Sequence, residues 1–371
     1  MNSIEKIDVN FKTDIIKADD IAFYDCLSAP FEIRGLYKPQ ELKRFLRLPP
    51  QFETDERVND GIHRLMFYTA GGRVRFVTNS PYIAISTDVV YEGLMPQMAA
   101  SGHYGFDLYA ADINNRTSNV YKKTFSPNGL TEENGKYDGF YEFSDTNLRE
   151  ITINFPLYCG VKSLYIGLSE NAKIEKPQPY TIEKPIFFYG SSVTQGGCAS
   201  RPGMTYTAIL SRWLDSDYIN LGCSGSDRGE EALAQYISNV QMSAFIFAYG
   251  YNAPSVWHYE KTYYPFYKII RDKNPKLPIF MMSSPVCLDI KNEKDIYIQK
   301  REVVLKAYER ARSEGDRNIY FIDGFTLLQS SDATVDTTHP SDLGFYNMAE
   351  EIYPILKNVL SKGEIYNENI R

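Results

Sequence analysis

The hydrophobic pattern of this chain changes near residue 178, and this change constrains the fold more than any other feature. Between about residues 60 and 168, short runs alternate apolar with polar residues and are separated by turn residues, as at 82–87 and 150–155. A period of two is typical of antiparallel strands with one buried face. Beyond residue 178, short apolar runs alternate with longer helical stretches, which predicts a mostly parallel sheet with helices on both faces.

The length of the chain also favours two domains, because 371 residues exceed what one ordinary core holds. Residues 169–184 are charged, contain prolines and lack periodicity, as expected of a connector. We therefore predict an all-β sandwich over residues 1–177, including a short N-terminal extension and the connector, and an α/β domain over residues 178–371. The expected strands of the second domain cover residues 186–189, 218–221, 244–249, 278–283 and 318–322.

Composition excludes several classes of partner. The net charge is −7 and no block of Lys or Arg occurs, so a nucleic-acid partner is not expected. The first twenty residues carry charges where a signal peptide needs an apolar run, and no apolar stretch is long enough for a membrane span. The five cysteines are scattered without a CxxC pair, which argues against a disulfide framework or a thiolate zinc site. We expect a cytoplasmic protein without cofactor, metal or membrane partner, and its oligomeric state stays open.

Polar or glycine-containing motifs follow four of the five strands expected in the second domain. They lie at residues 190–192, 222–225, 250–252 and 336–339. Ligands of open parallel sheets bind at the carboxyl ends of the strands, so these motifs are predicted to converge on one edge. Taken alone, the turn at 190–197 is more typical of a helix cap than of a catalytic loop. The convergence of four motifs is what favours a site.

The converging motifs provide every group that acyl transfer requires. Ser192 is the predicted nucleophile, His339 the base that takes its proton, and Asp336 the group that orients the imidazole. The backbone N–H groups of Ser192 and Gly225 and the side-chain amide of Asn252 are the predicted oxyanion hole. The turn is neither the G-x-S-x-G elbow of α/β-hydrolases nor a phosphate loop, because it lacks the second glycine of the former and the lysine of the latter.

With these residues in hand, the α/β part resembles the SGNH, or GDSL-type, esterase and lipase superfamily. The four blocks of that superfamily correspond, in order, to FYGSSVTQG at 188–196, NLGCSG at 220–225, GYN at 250–252 and DTTHP at 336–340. The sequence GFDLY at 105–109, with GGCASRPG at 196–203, resembles a subgroup that carries an N-terminal G-x-D-L-Y β-domain and is similar to two-domain carbohydrate esterases. The resemblance implies a jelly-roll-like sandwich joined to a flavodoxin-like hydrolase domain, and the roles given above for the five site residues.

The chain departs from the superfamily pattern at two positions. Ser191 stands where an aspartate usually precedes the nucleophile, and Ala253 stands where an aspartate often follows the asparagine of the third block. A further alternative concerns Asp336, because a backbone carbonyl orients the histidine in some esterases of this superfamily. Both a Ser-His-Asp triad and a Ser-His dyad therefore stay open.

The favoured function is a serine O-acyl esterase that removes acetyl groups from O-acetylated carbohydrates. An acyltransferase or a general GDSL lipase would use the same serine, and a catalytically inactive carbohydrate-binding protein is the alternative from another class. Asp107 and Tyr109 of the β-domain signature are expected to hold a strand or the domain interface rather than a ligand. Arg201 and Asp227, on loops near the site, are expected to form salt bridges or helix caps.

Overall fold

The structure is a computed structural model that describes residue 16 and residues 18–287 and 294–368. The strands of its first part are β1 (Ile21–Asp25), β2 (Glu32–Arg34), β3 (Arg73–Thr78), β4 (Tyr82–Val89), β5 (Phe106–Asp112), β6 (Asn115–Phe125), β7 (Lys136–Glu142), β8 (Arg149–Asn154), β9 (Val161–Ser169) and β10 (Ile174–Glu175). The α-helices of this part are α1 (Pro39–Leu42), α2 (Asp60–Leu65) and α3 (Ala100–His103).

The strands of the second part are β11 (Ile182–Gly190), β12 (Ser216–Gly222), β13 (Ala244–Ala248), β14 (Ile279–Met282) and β15 (Ile319–Ile322). Its α-helices are α4 (Ser192–Gln195), α5 (Tyr206–Leu214), α6 (Glu231–Ile237), α7 (Val256–Lys273), α8 (Lys294–Ser313) and α9 (Asp342–Glu368). Within the described ranges, each helix is too short or too polar to cross a lipid bilayer.

The first part is built from two antiparallel sheets that share one core. A four-stranded sheet has the order β1-β9-β4-β7, and a six-stranded sheet has the order β10-β3-β8-β5-β6 with β2 paired to β3. Inward-facing residues of both sheets, such as Phe76 and Ile153 on one and Ile85 and Ile166 on the other, are fully buried in the same apolar cluster. Alternating strands with one buried face form this packing, as the period of two in the sequence predicts.

The second part is a five-stranded parallel sheet with the order β12-β11-β13-β14-β15. This order, 2-1-3-4-5 within the domain, is that of the flavodoxin-like doubly wound fold. Its central strands are continuous apolar runs, and residues 186–189 of β11 and 244–247 of β13 are almost completely buried. Strands covered by helices on both faces lose the polar alternation, which is why the sequence marks them as short apolar runs. The predicted α/β fold is confirmed, with each expected strand in place.

One segment of the N-terminal half packs on the core of the parallel-sheet part instead of the sandwich core. Residues between 46 and 70, including Leu48, Ile62 and Met66, belong to the same buried apolar cluster as the parallel sheet. This segment lies between β2 and β3, so the chain leaves the sandwich and returns to it. The sequence prediction includes these residues in the all-β part. The domain division at residue 178 stays a prediction.

Candidate active site

Two adjacent serines follow β11, and the structure gives them different roles. Ser191 is the N-cap of α4, where its hydroxyl accepts a hydrogen bond from the backbone N–H of Val193 at 3.3 Å. Ser192 begins the helix, and its Oγ lies 2.8 Å from Nε2 of His339. A capping hydroxyl is committed to the backbone, whereas the next side chain is free to face the sheet edge. The structure therefore brings Ser192, and not Ser191, to the histidine.

His339 is held from its other side by Asp336. Nδ1 of His339 lies 2.7 Å from Oδ2 of Asp336, and Oδ1 of Asp336 accepts the backbone N–H groups of His339 at 2.7 Å and Thr338 at 3.2 Å. Because a carboxylate accepts only, Nδ1 carries the ring proton and Nε2 is left as an acceptor for the Ser192 hydroxyl. Burial acts to raise the pKa of Asp336, but these hydrogen bonds outweigh it and lower that pKa below its usual value. The arrangement is that of a nucleophile, a base and an orienting carboxylate.

Gly225 and Asn252 also meet at this edge, but they contact each other. The backbone N–H of Gly225 donates to Oδ1 of Asn252 at 3.0 Å, and Nδ2 of Asn252 donates to the carbonyl of Cys223 at 2.9 Å. These two bonds fix the amide orientation, since a flipped amide would face donor to donor and acceptor to acceptor.

The hydrogen bond between Gly225 and Asn252 occupies one of the donors of the predicted oxyanion hole. Two donors are free of this bond: the N–H of Ser192, which has no acceptor within its own helix at this first helical position, and the second hydrogen of Asn252 Nδ2. The N–H of Gly225 would reach an oxyanion only by sharing or releasing its bond to Asn252. Its role as an oxyanion donor stays a prediction, as do the catalytic roles of the other four residues.

Tyr158 is a site residue that sequence reasoning missed. Its hydroxyl donates to the backbone carbonyl of Ser192 at 3.3 Å, although the tyrosine belongs to the N-terminal half. Burial raises the pKa of Tyr158 well above its usual value, so the phenol stays protonated. At Gly197 a Cβ atom would lie 2.9 Å from this hydroxyl and 2.9 Å from Cδ2 of His339. Only glycine fits between them, and nothing in the local sequence around Tyr158 signals this contact.

Residues 196–205, here called the interface loop, connect the β-domain signature to the site. Asp107 is fully buried, and its Oδ2 accepts from Arg201 Nη1 at 2.9 Å and from the N–H of Gly203 at 2.7 Å. Its Oδ1 accepts from Asn154 at 2.8 Å, while the Tyr109 hydroxyl accepts from Arg201 at 2.6 Å. The expectations that Asp107 and Tyr109 hold the domain interface and that Arg201 forms a salt bridge are confirmed.

The interface loop also contacts the segment that carries the histidine. The N–H of Ser200 donates to Oδ1 of Asp342 at 2.9 Å, and its hydroxyl donates to the other carboxylate oxygen. Asp342 begins α9, three residues after His339. The carbonyl of Ser200 in turn accepts from the Ser101 hydroxyl at 2.6 Å. One loop therefore joins the β-domain, the Ser192 turn and the His339 segment.

The expectation of a salt bridge or helix cap at Asp227 is wrong. Asp227 is fully buried, and among the described residues neither of its carboxylate oxygens has a hydrogen-bond partner. Burial raises the pKa of Asp227 well above its usual value, which favours the neutral form of the carboxyl group. The nearby Arg47 does not pair with it, because its guanidinium donates to the carbonyls of Gly222, at 2.6 Å, and Leu65.

A cleft of about 250 Å³ lies beside the site, between the two halves of the chain. Its polar lining groups are Arg64, Tyr68, Glu92, His103, Tyr158, Ser224 and Ser226, and its apolar ones are Leu65, Leu94 and Met95. The cleft adjoins Ser192 through the contact of Tyr158 described above. Within it, Glu92 accepts from the Tyr68 hydroxyl at 2.6 Å and from Arg64 at 2.7 Å. Most of the side chains that line the cleft therefore carry hydrogen-bonding groups, and most of them come from the N-terminal half.

Comparison with known families identifies both halves of the chain. Residues 183–357 match the GDSL-like Lipase/Acylhydrolase family, and residues 21–174 match the family described as the GxDLY N-terminus of Esterase_SGNH_hydro-type proteins. The chain belongs to the SGNH/GDSL-type hydrolases. This SGNH/GDSL hydrolase is a carboxylic ester hydrolase with the N-terminal G-x-D-L-Y β-domain that the sequence indicated.

Solved structures share the fold of nearly the whole chain. A Bacteroides ovatus protein described as a GDSL-like lipase is 27% identical, with a TM-score of 0.77 over 92% of this chain and 98% of that chain. A salicylyl-acyltransferase from a tetracycline biosynthetic pathway is 19% identical, with a TM-score of 0.73 over 90% and 96%.

An acetyl xylan esterase from the rumen bacterium Butyrivibrio proteoclasticus is 14% identical, with a TM-score of 0.57 over 92% of this chain and 99% of that chain. At these identities, the similarity to the acyltransferase and to the xylan esterase shows the shared fold alone. No match was found among curated proteins.

Proposed function

We propose that this hydrolase is a serine O-acyl esterase that removes small acyl groups, acetyl foremost, from O-acetylated carbohydrates. The observation that carries the proposal is the continuous chain of hydrogen bonds from Ser192 through His339 to Asp336, with distances of 2.8 Å and 2.7 Å. A serine hydroxyl is a weak nucleophile at neutral pH and needs a base at hydrogen-bond distance. Here the base is oriented by a carboxylate, as serine acyl chemistry requires.

The reaction follows from this geometry in two halves. Ser192 Oγ attacks the ester carbonyl carbon as its proton passes to Nε2 of His339, and the carbonyl oxygen becomes an oxyanion near the N–H of Ser192 and the amide of Asn252. The tetrahedral intermediate then breaks its bond to the alcohol oxygen, which leaves with the proton from His339. Water attacks the acyl-enzyme through the same base and releases the carboxylic acid. Asp336 stabilises the imidazolium in both halves.

The lining of the neighbouring cleft supports a carbohydrate alcohol as the leaving group. Hydroxyl-rich ligands are recognised by several convergent polar groups, and the cleft supplies Glu92, Tyr68 and the hydroxyls of Ser224 and Ser226. The structural similarity to an acetyl xylan esterase points to the same class of substrate. A lipase for long acyl chains would instead need an extended apolar channel. We therefore favour an oligosaccharide ester as the substrate.

The substrate class is tested by incubating the protein with acetylated oligosaccharides and measuring acetate release by mass spectrometry. We expect release from at least one acetylated glycan in a broad panel, with slower turnover of esters as the acyl chain lengthens. A protein that releases no acetate from any glycan but turns over long acyl esters would be a general lipase, and the proposed substrate would be wrong.

A second candidate function is acyl transfer to an alcohol other than water. It is favoured by the similarity to the salicylyl-acyltransferase, which covers 90% of this chain. Both reactions share the acyl-enzyme on Ser192 and differ only in what attacks it. Trapping that intermediate and comparing its discharge by water and by sugar hydroxyls separates them, because a transferase yields a new ester whereas an esterase yields the free acid.

Replacing Asp336 by alanine is expected to lower kcat by about 10²–10⁴-fold. Without the carboxylate, Nδ1 of His339 loses its 2.7 Å acceptor, so the ring no longer holds the tautomer that accepts the Ser192 proton. Steady-state kinetics measure the effect, with Asp332→Ala on the same loop as the control, since Asp332 is exposed. Activity near that of the parent in Asp336→Ala would assign a Ser-His dyad instead.

A further inference from the structure

Cys198 occupies a constrained position beside the histidine and its carboxylate. It lies in the interface loop directly after Gly197 and is 7% exposed. Its φ of 73° is in the left-handed region, which side chains with a Cβ rarely adopt. Burial, and then the negative charge of Asp336, raise the pKa of the Cys198 thiol to about 12. The thiol is therefore protonated and adjacent to the Asp336 carboxylate, and the reaction derived above does not use it.

The Cys198 sulfur, an Asp336 oxygen and a His339 ring nitrogen form a compact group. These three atoms lie within 4.8 Å of one another. Separately, Oδ2 of Asp336 lies 2.7 Å from Nδ1 of His339. Ligand atoms around a tetrahedral zinc ion are about 3.3–3.6 Å apart, given the usual Zn–N, Zn–O and Zn–S bond lengths. The 4.8 Å bound is wider than this spacing and the 2.7 Å distance between Asp336 and His339 is shorter, so metal binding requires these side chains to shift to it.

We propose that Cys198, Asp336 and His339 form an inhibitory site for a borderline-soft divalent cation, Zn²⁺ above all, inside the candidate active site. The donor set of thiolate, imidazole and carboxylate is one that zinc prefers over magnesium or calcium, which favour oxygen ligands alone. Water completes the fourth position. The inference rests on the proposed function, because it is His339 in its role as base that the metal blocks.

The inhibition follows from the two nitrogens of His339. In the free protein Nδ1 carries the proton and Nε2 accepts from Ser192. Zinc at Nδ1 takes the place of that proton, which moves to Nε2, while the Cys198 thiol releases its own proton to solvent as it binds the metal. Nε2 is then a donor and no longer removes the proton of Ser192. Zinc also binds the Asp336 carboxylate, which then no longer orients the imidazole of His339. The base therefore loses its proton-accepting nitrogen and its orienting carboxylate together.

The activity test compares ester hydrolysis at increasing zinc chloride concentrations, with each variant normalised to its own rate in chelator. We expect the parent to be inhibited reversibly, with recovery on adding EDTA. In Cys198→Ala the half-inhibitory concentration is expected to rise about 100-fold, because removing even outer support of a metal costs tenfold or more. Cys26→Ala, which removes a buried thiol from the sandwich core, is the matched control and should keep the parent's zinc sensitivity. Equal inhibition of Cys198→Ala and the parent would overturn the proposal.

A second measurement does not depend on any ester being hydrolysed. Cobalt(II) replaces zinc in such sites, and a cobalt–thiolate bond gives a charge-transfer band in the near ultraviolet. We expect this band on titrating the parent and Cys26→Ala with cobalt chloride, and its loss in Cys198→Ala. Absence of the band from the parent would overturn the metal site, whatever its activity. If the cobalt band appears but no ester is hydrolysed, the metal site is supported and the proposed function is wrong.

Discussion

Replacing Ser192 by alanine is expected to lower kcat for ester hydrolysis by about 10⁴–10⁶-fold. The substitution removes the proposed nucleophile, while His339 and Asp336 keep their own hydrogen bond of 2.7 Å. KM should change little, since the serine side chain contributes to the reaction and not to the binding of the alcohol. Steady-state kinetics on an acetyl ester measure both constants. Residual activity above the uncatalysed rate is expected from the remaining oxyanion donors.

Ser191→Ala is the matched control, because the two serines are adjacent and both are buried. Loss of its cap to Val193 is expected to cost about 1 kcal/mol of stability while most activity remains. A serine-reactive fluorophosphonate probe should label the parent and Ser191→Ala but not Ser192→Ala. Labelling that survives Ser192→Ala and disappears in Ser191→Ala would make Ser191 the nucleophile. No labelling of the parent would support an inactive carbohydrate-binding protein.

Replacing Asp107 by alanine is expected to lower the free energy of unfolding by about 3 kcal/mol. Asp107 is fully buried and accepts three hydrogen bonds, so its removal takes this acceptor from Asn154 and from the N–H of Gly203. Arg201 keeps its hydrogen bond to the Tyr109 hydroxyl but loses the carboxylate. The guanidinium of Arg201 loses its ion pair while its side chain stays only 18% exposed. Chemical denaturation followed by fluorescence measures the loss.

The same substitution is expected to lower kcat as well as stability. Arg201 and Gly203 belong to the interface loop, whose Ser200 is bonded to Asp342 close to His339. Glu41→Ala is the control, because it removes an exposed ion pair with Lys38 and is expected to cost less than about 0.5 kcal/mol. Unfolding of Asp107→Ala at the same denaturant concentration as Glu41→Ala would show that the interface does not depend on this carboxylate.

The sequence predicted the sheet, its edge and the residues that meet there. The reason is physical: consecutive parallel strands end at the same edge, so motifs at 190–192, 222–225, 250–252 and 336–339 are neighbours in any such fold. No comparable rule predicts the contacts between the two halves from the sequence. The hydrogen bond from Tyr158 to Ser192 and the pairing of Asp107 with Arg201 depend on how two surfaces meet, which no local pattern encodes.

The sequence also did not predict which group donates and which accepts in individual hydrogen bonds. The residue types Gly225 and Asn252 are those of an oxyanion hole, yet in the structure the N–H of the first donates to the side-chain oxygen of the second. The prediction for Asp227 fails for the same reason. Its position on a loop suggested a partnered carboxylate, whereas the residue is completely buried and burial raises its pKa well above the usual value. Burial and donor direction emerge only from tertiary packing.

Residues 46–70 leave the sandwich and pack in the core of the parallel sheet. This packing limits which parts of such proteins can be exchanged between relatives. Leu48, Ile62 and Met66 are supplied by the first half of the gene but fill space under the second half. A single crossover at the connector would therefore separate side chains that evolved to fit together. Chimaeras that exchange the β-domain between relatives should fold only when this segment travels with the hydrolase that it packs against. The two halves therefore share one core through this segment, although they resemble two modules.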